Sequence, residues 1–153
     1  MSTQALEQAI TAAKGVLAGV KPDQLSGPTP CASWDVAGLI NHLVGGQYFF
    51  ATMVKGETMP EGDAPNFSTG DFVAAFAGIA ATDTFTHTWD LAKATGQSTD
   101  LSPELAAGLL EGAKAFIPES FRGPEPAPFG PIQTAPAGAC NADQLAAFLG
   151  RTV

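Results

Sequence analysis

The sequence predicts an all-α protein, one domain over residues 1–153 built as a bundle of antiparallel helices. Three observations carry that expectation. Apolar residues recur at spacings of three and four, helix-starting and helix-ending residues stand at the borders of those runs, and proline- and glycine-rich connectors separate them. A chain of 153 residues, 45% hydrophobic, is long enough to bury ~70% of the surface its unfolded form exposes, so one core needs neither disulfides nor a structural metal.

Leu6, Ile10, Ala13 and Leu17 form one apolar stripe, predicting a first helix over residues 4 to 20. KPDQLSGPTP then forbids continuation of a helix or a central strand. Ser33 is placed to cap a second helix, with Asp35 in its first turn, running to about Val54. From Lys55 to Thr69, KGETMPEGDAPNFST lacks periodicity and reads as a long loop of the kind that forms lids. A third pattern starts near Asp71, with Phe72, Ala75, Phe76, Ile79, Phe85 and Leu91 as its stripe, a break permitted at Gly78 or Thr82, and Gly96 ending it. Ser102 before Pro103 and Glu104 starts a fourth helix, with Leu105, Leu109, Leu110, Phe116 and Ile117 on its buried face. Residues 118 to 140, rich in Pro and Gly, should wrap the body as irregular chain with room for a short strand. A short last helix is bracketed by Asn141 as its cap and Gly150 past its end.

A formal net charge of −8 and only two arginines, Arg122 and Arg151, leave no basic stripe for phosphates, which argues against nucleic acid and anionic membranes. The first twenty residues do not read as a signal peptide, and no apolar run approaches the ~18 residues of a membrane span. The expected setting is a reducing cytoplasm. Cys31 and Cys140 lack paired CxxC spacing, and a disulfide between them stays open.

Chemistry centres on the two histidines. His87 follows Asp83 by four residues, so both project from one helix face. His42 shares a face with Leu39, Gly46 and Phe49. His42 lies twelve residues before Val54 and Asp83 twelve after Asp71, so at ~1.5 Å per residue both stand ~18 Å from the connecting loop if the helices are antiparallel. Two imidazoles and a carboxylate suit Zn²⁺ or another first-row divalent ion, with positions left for water or substrate. An ion pair for Asp83 and His87, and a core histidine bonded to a carbonyl for His42, fit the same spacing. Asp90 suits a partner to His87 or a surface charge, Arg122 an anionic substrate or a solvated charge, and Cys31 a nucleophile or a packing residue. Trp34 and Trp89 read as packing anchors.

The runs TPCASWDVAGLINHLVGG (29 to 46), DTFTHTWDLAKATGQSTDLSPEL (83 to 105) and FGPIQTAPAGACNADQLAAFLGR (129 to 151) resemble the DinB-like superfamily, most closely the actinobacterial branch related to mycothiol-dependent maleylpyruvate isomerase. The resemblance implies a helix bundle whose divalent metal, zinc first with nickel or iron as alternatives, is held by His42, Asp83 and His87. It implies mycothiol or a similar thiol as cosubstrate, and transfer to, or isomerisation of, a small electrophile. A non-haem iron oxygenase and a non-catalytic dimeric binding module are the competing readings. Two departures stand out: Asp83 replaces the family's usual glutamate, and relatives carry several dozen extra residues before the metal-binding helix. If 71 to 95 is one continuous helix, the bundle lacks a member and a second copy is expected to complete it as a homodimer.

Overall fold

The computed structural model describes residues 3–54, 69–124 and 127–153. The loop read as a lid, residues 55 to 69, lies outside them but for Thr69, as do the side chains of Phe72, Ala75 and Phe76. The described residues form five α-helices and no named strand: α1 Thr3–Ala18, α2 Val36–Val54, α3 Thr69–Ala94, α4 Pro103–Phe116 and α5 Asn141–Phe148. The chain is all-helical, as its periodicity predicts. In the wrap, the expected short strand reduces to an isolated bridge between Arg122 and Phe129, beside a 3₁₀ turn over Glu119–Phe121.

The central element is α3, which runs unbroken through Gly78 and Thr82 for 26 residues. Ala80, Ala81, Thr84, Phe85, Thr88, Trp89, Asp90, Leu91 and Ala92 are all buried, so its second half is covered nearly all round, as a core helix must be. Its threonines tolerate this because their hydroxyls donate to carbonyls one turn back, Thr88 to Thr84 at 2.7 Å and Thr95 to Leu91 at 2.8 Å. Against one side lies α1, buried deepest along Ala9, Ala13 and Val16 with Leu6 and Leu17 at the flanks. Small residues on the contact line let the two backbones approach closely. On another side, Val36, Leu39 and Leu43 of α2 pack with Leu91 and Ala92. Leu105, Leu109 and Leu110 of α4 and Leu145 and Leu149 of α5 complete the larger core.

Cross-chain contacts set the register of α2 and the segment before it. Gln24 reaches the Thr95 carbonyl, Trp34 meets His87, and Gln47 donates to Thr84. Numbers climb on one side as they fall on the other, which is antiparallel pairing.

Several helix ends differ from expectation in who caps them. Asp35, not Ser33, caps α2, its Oδ1 accepting from Gly38 N at 2.8 Å. Ser102 sits at φ 38° with no side-chain cap bond; Pro103 alone suits the start of α4. At α5 the Cys140 sulfur accepts from Asp143 N, and the Asn141 amide instead donates to the Pro103 carbonyl at 2.9 Å. Two residues assigned to buried stripes are exposed: Ile79 at 61% and Phe116 at 81%. Both border a large chamber.

Candidate metal centre

The antiparallel pairing brings His42 of α2 level with Asp83 and His87, one turn apart on α3. His42 Nε2 lies 3.8 Å from Asp83 Oδ2, and His87 Nε2 lies 3.5 Å from Asp83 Oδ1. The two imidazoles meet edge to face with centroids 4.6 Å apart. These separations are too long for hydrogen bonds. They match the ~3.4 Å expected between donor atoms that each sit ~2.1 Å from one tetrahedral ion. His42 Nε2 is buried and has no hydrogen-bond partner. A desolvated ring nitrogen without a partner costs about 1–3 kcal/mol, and a cation at the shared point removes that cost. The donor set therefore fits a divalent ion.

Trp34, just before α2, stacks on His42 at 4.4 Å and meets His87 edge-on at 5.6 Å. It forms one wall of the centre, a role its reading as a packing anchor missed. Trp89 is such an anchor, 1% exposed, its indole donating to Asp143 Oδ1 at 2.8 Å.

Behind His87 lies a second layer. His87 Nδ1 is 3.0 Å from Asp90 Oδ2, and Asp90 is fully buried. Burial alone would raise its carboxyl, but the His87 hydrogen bond and the Arg151 guanidinium outweigh that and hold it below the usual carboxylate range. An ionised carboxylate only accepts, so Nδ1 is the donor of this bond and Nε2 is the ring nitrogen left to face Asp83. Asp90 is thus a partner to His87 and not a surface charge. Arg151 donates through Nε to Oδ1 at 3.2 Å and through Nη2 to Oδ2 at 3.0 Å. The chain can deliver it because Gly150 turns at φ 95° and a Cβ there would stand 2.7 Å from Gly130 Cα.

Cys31 donates its thiol proton to Asp90 Oδ2 at 3.1 Å. Burial first, then the Asp90 charge, push it up to about 12, which removes it as a nucleophile at neutral pH. Cys31, His87 and Asp90 also converge closely enough to suggest a second ion. There the Arg151 guanidinium already supplies the positive charge. Both cysteines are free thiols. Arg122 is buried, not a solvated charge, its guanidinium donating to Phe148 O at 2.7 Å and to Gly130 O, so it ties the wrap to α5. Arg151 was not singled out from sequence. The available signal was scarcity, since it is one of two arginines and follows directly on a helix stop.

An all-helical scaffold carrying a histidine–carboxylate cluster of this kind defines a class, and comparison with known proteins agrees. The family model described as the mycothiol maleylpyruvate isomerase N-terminal domain matches residues 6–71, a span that includes His42 but stops before Asp83 and His87. The chain belongs to that family, which has the DinB-like helical fold. Two uncharacterised proteins of Mycobacterium tuberculosis, from strains CDC 1551 / Oshkosh and H37Rv, are each 40% identical over 175 aligned residues, covering 96% of this chain and 96% of the relative. No solved structure matches. Among the described residues, no helix is long and apolar enough to cross a membrane.

Proposed function

We propose that the protein is a divalent-metal-dependent enzyme of low-molecular-weight thiol chemistry, a mycothiol-type transferase or isomerase acting on a small electrophile. The observation that carries this reading is the partnerless, buried Nε2 of His42 facing Asp83 beside His87, in a member of the mycothiol-related family. His42, Asp83 and His87 would hold the ion, and zinc suits that donor set best. Such a cation, when bound, supplies the Lewis acidity that keeps a thiol deprotonated at neutral pH.

The chain's own groups do the rest. Asp90 holds the Nδ1 proton of His87 and fixes the ring. Trp34 covers one face of His42 and limits water there. Cys31 keeps its proton, so the attacking sulfur belongs to the cosubstrate. A reducing cytoplasm suits two free thiols, and a second copy of the chain is proposed to cover the exposed Val44 and Tyr48.

Protein purified without chelator should carry close to one metal per chain by elemental analysis, and zinc added to chelated protein should raise its Tm. His87→Ala should lose both. A metal-free wild type with no thermal response overturns the reading and leaves a non-catalytic helical binding module.

A further inference from the structure

We infer that the chamber beside the metal centre takes an uncharged, largely apolar acceptor, aromatic or branched aliphatic, and selects against dicarboxylates. This rests on the metal-centre reading for its chemistry, but its grounds are the walls of the chamber itself. The chamber has a volume of about 1130 Å³ and opens onto Asp83 and His87. Ile79, Ala113, Phe116, Ile117, Phe121 and Phe129 are among the apolar residues that line it. That is larger than a small acceptor alone needs, so part of a thiol cosubstrate fits beside it.

Among the described residues, the polar side chains on the wall are engaged but for Asp83, the His87 Nε2 and the Trp34 indole N–H. Among the described residues Arg151 is the only cationic side chain lining the chamber, and all its donor nitrogens are engaged: Nε and Nη2 with Asp90, Nη1 with the Leu149 carbonyl. The Thr82 hydroxyl donates to Gly78 O at 2.9 Å and the Thr86 hydroxyl to Thr82 O at 2.7 Å. The Cys31 thiol donates to Asp90, and Ser33 is engaged as well. Arg122 is not part of the lining, and its Nη2 is buried in protein. A dicarboxylate entering this space would give up hydration with, among the described residues, only the neutral Trp34 indole N–H left as an unengaged side-chain donor and with the Asp83 carboxylate beside it, whereas an apolar group gains by leaving water. Apart from the Trp34 indole, what remains polar on the lining is the edge formed by Asp83 and His87, where a single reacting atom would be held.

Isothermal titration with 1-naphthol and with maleate, on metal-free and on zinc-loaded protein, tests the inference. 1-Naphthol is expected to bind both forms with similar Kd, and maleate to bind the metal-free form at least 100-fold more weakly than 1-naphthol. Gly112→Leu, which fills the chamber from α4, should weaken 1-naphthol at least tenfold. Ile79→Lys, on the exposed rim where folding is not challenged, should weaken 1-naphthol and strengthen maleate. Maleate binding to the metal-free form within tenfold of 1-naphthol, or 1-naphthol binding indifferent to Ile79→Lys, overturns the proposal. Failure of the metal reading shows separately, as absent zinc binding with 1-naphthol affinity intact in the metal-free protein.

Discussion

Asp90 accepts from groups in three parts of the chain: His87 on its own helix, Cys31 before α2 and Arg151 after α5. Replacing it by Asn keeps the shape and removes the charge, leaving Arg151 buried without its counter-ion. The expected cost, measured by denaturant unfolding, is about 3–5 kcal/mol, and zinc affinity by chelator competition should fall roughly 10–100-fold as the His87 ring loses its fixed tautomer. Because the Asp90 carboxyl is held low, its contribution to stability is present above the ordinary Asp pKa, ~3.9, and is lost as pH falls through its lowered value. The variant should therefore lose less stability in acid than wild type. Cys31 behaves with the opposite sign. Its raised pKa contributes stability that is present below the ordinary thiol range and lost as pH climbs toward about 12. In a Cys140→Ala background, iodoacetamide labelling should be slow at neutral pH and keep accelerating toward about 12; a plateau near an ordinary thiol's ~8.5 would contradict the Asp90 contact. The Asp83–His87 pair was legible because four residues make one helical turn. The Cys31–Asp90 contact was not, since 59 residues separate its members and no local rule spans such a distance.

At the level of the element, periodicity located all five helices, and Gly96 and Gly150 ended theirs as glycines do, at φ 70° and 95°. Caps were less legible. Ser33, Ser102 and Asn141 all have the right chemistry, but which oxygen or sulfur reaches a free amide depends on how the chain arrives at the helix, and the competing residues Asp35 and Cys140 arrive better placed. The stop after α5 does more than end a helix. Gly150 brings the backbone against Gly130 and aims Arg151 at Asp90. Gly150→Ala should cost about 1–3 kcal/mol from the positive φ alone, with more from the close approach. It should also weaken zinc binding, since Arg151 is displaced; an unfolding curve and a zinc titration on the same variant check both.

For the whole molecule, the unbroken α3 is the feature with the widest consequence. The relatives align over 175 positions, more than this chain has residues, so they carry chain that this protein lacks. Val44 and Tyr48 on α2 stand exposed. A homodimer covering them should sediment at twice the chain mass of 15.6 kDa, and Val44→Glu with Tyr48→Glu should return it to monomer; a monomeric wild type at micromolar concentration removes that proposal. The sequence alone determined the helical class and the helix positions, because these follow from a 3.6-residue period, and with the family resemblance it nominated His42, Asp83 and His87, which one antiparallel pairing brings to the same level. Only the tertiary structure decided that Arg151 and Cys31 converge on Asp90, that Trp34 walls the centre and that Arg151, the one cation among the chamber's described lining residues, is held by Asp90. Those contacts join residues distant in the chain, and their geometry is set by packing that no local pattern encodes.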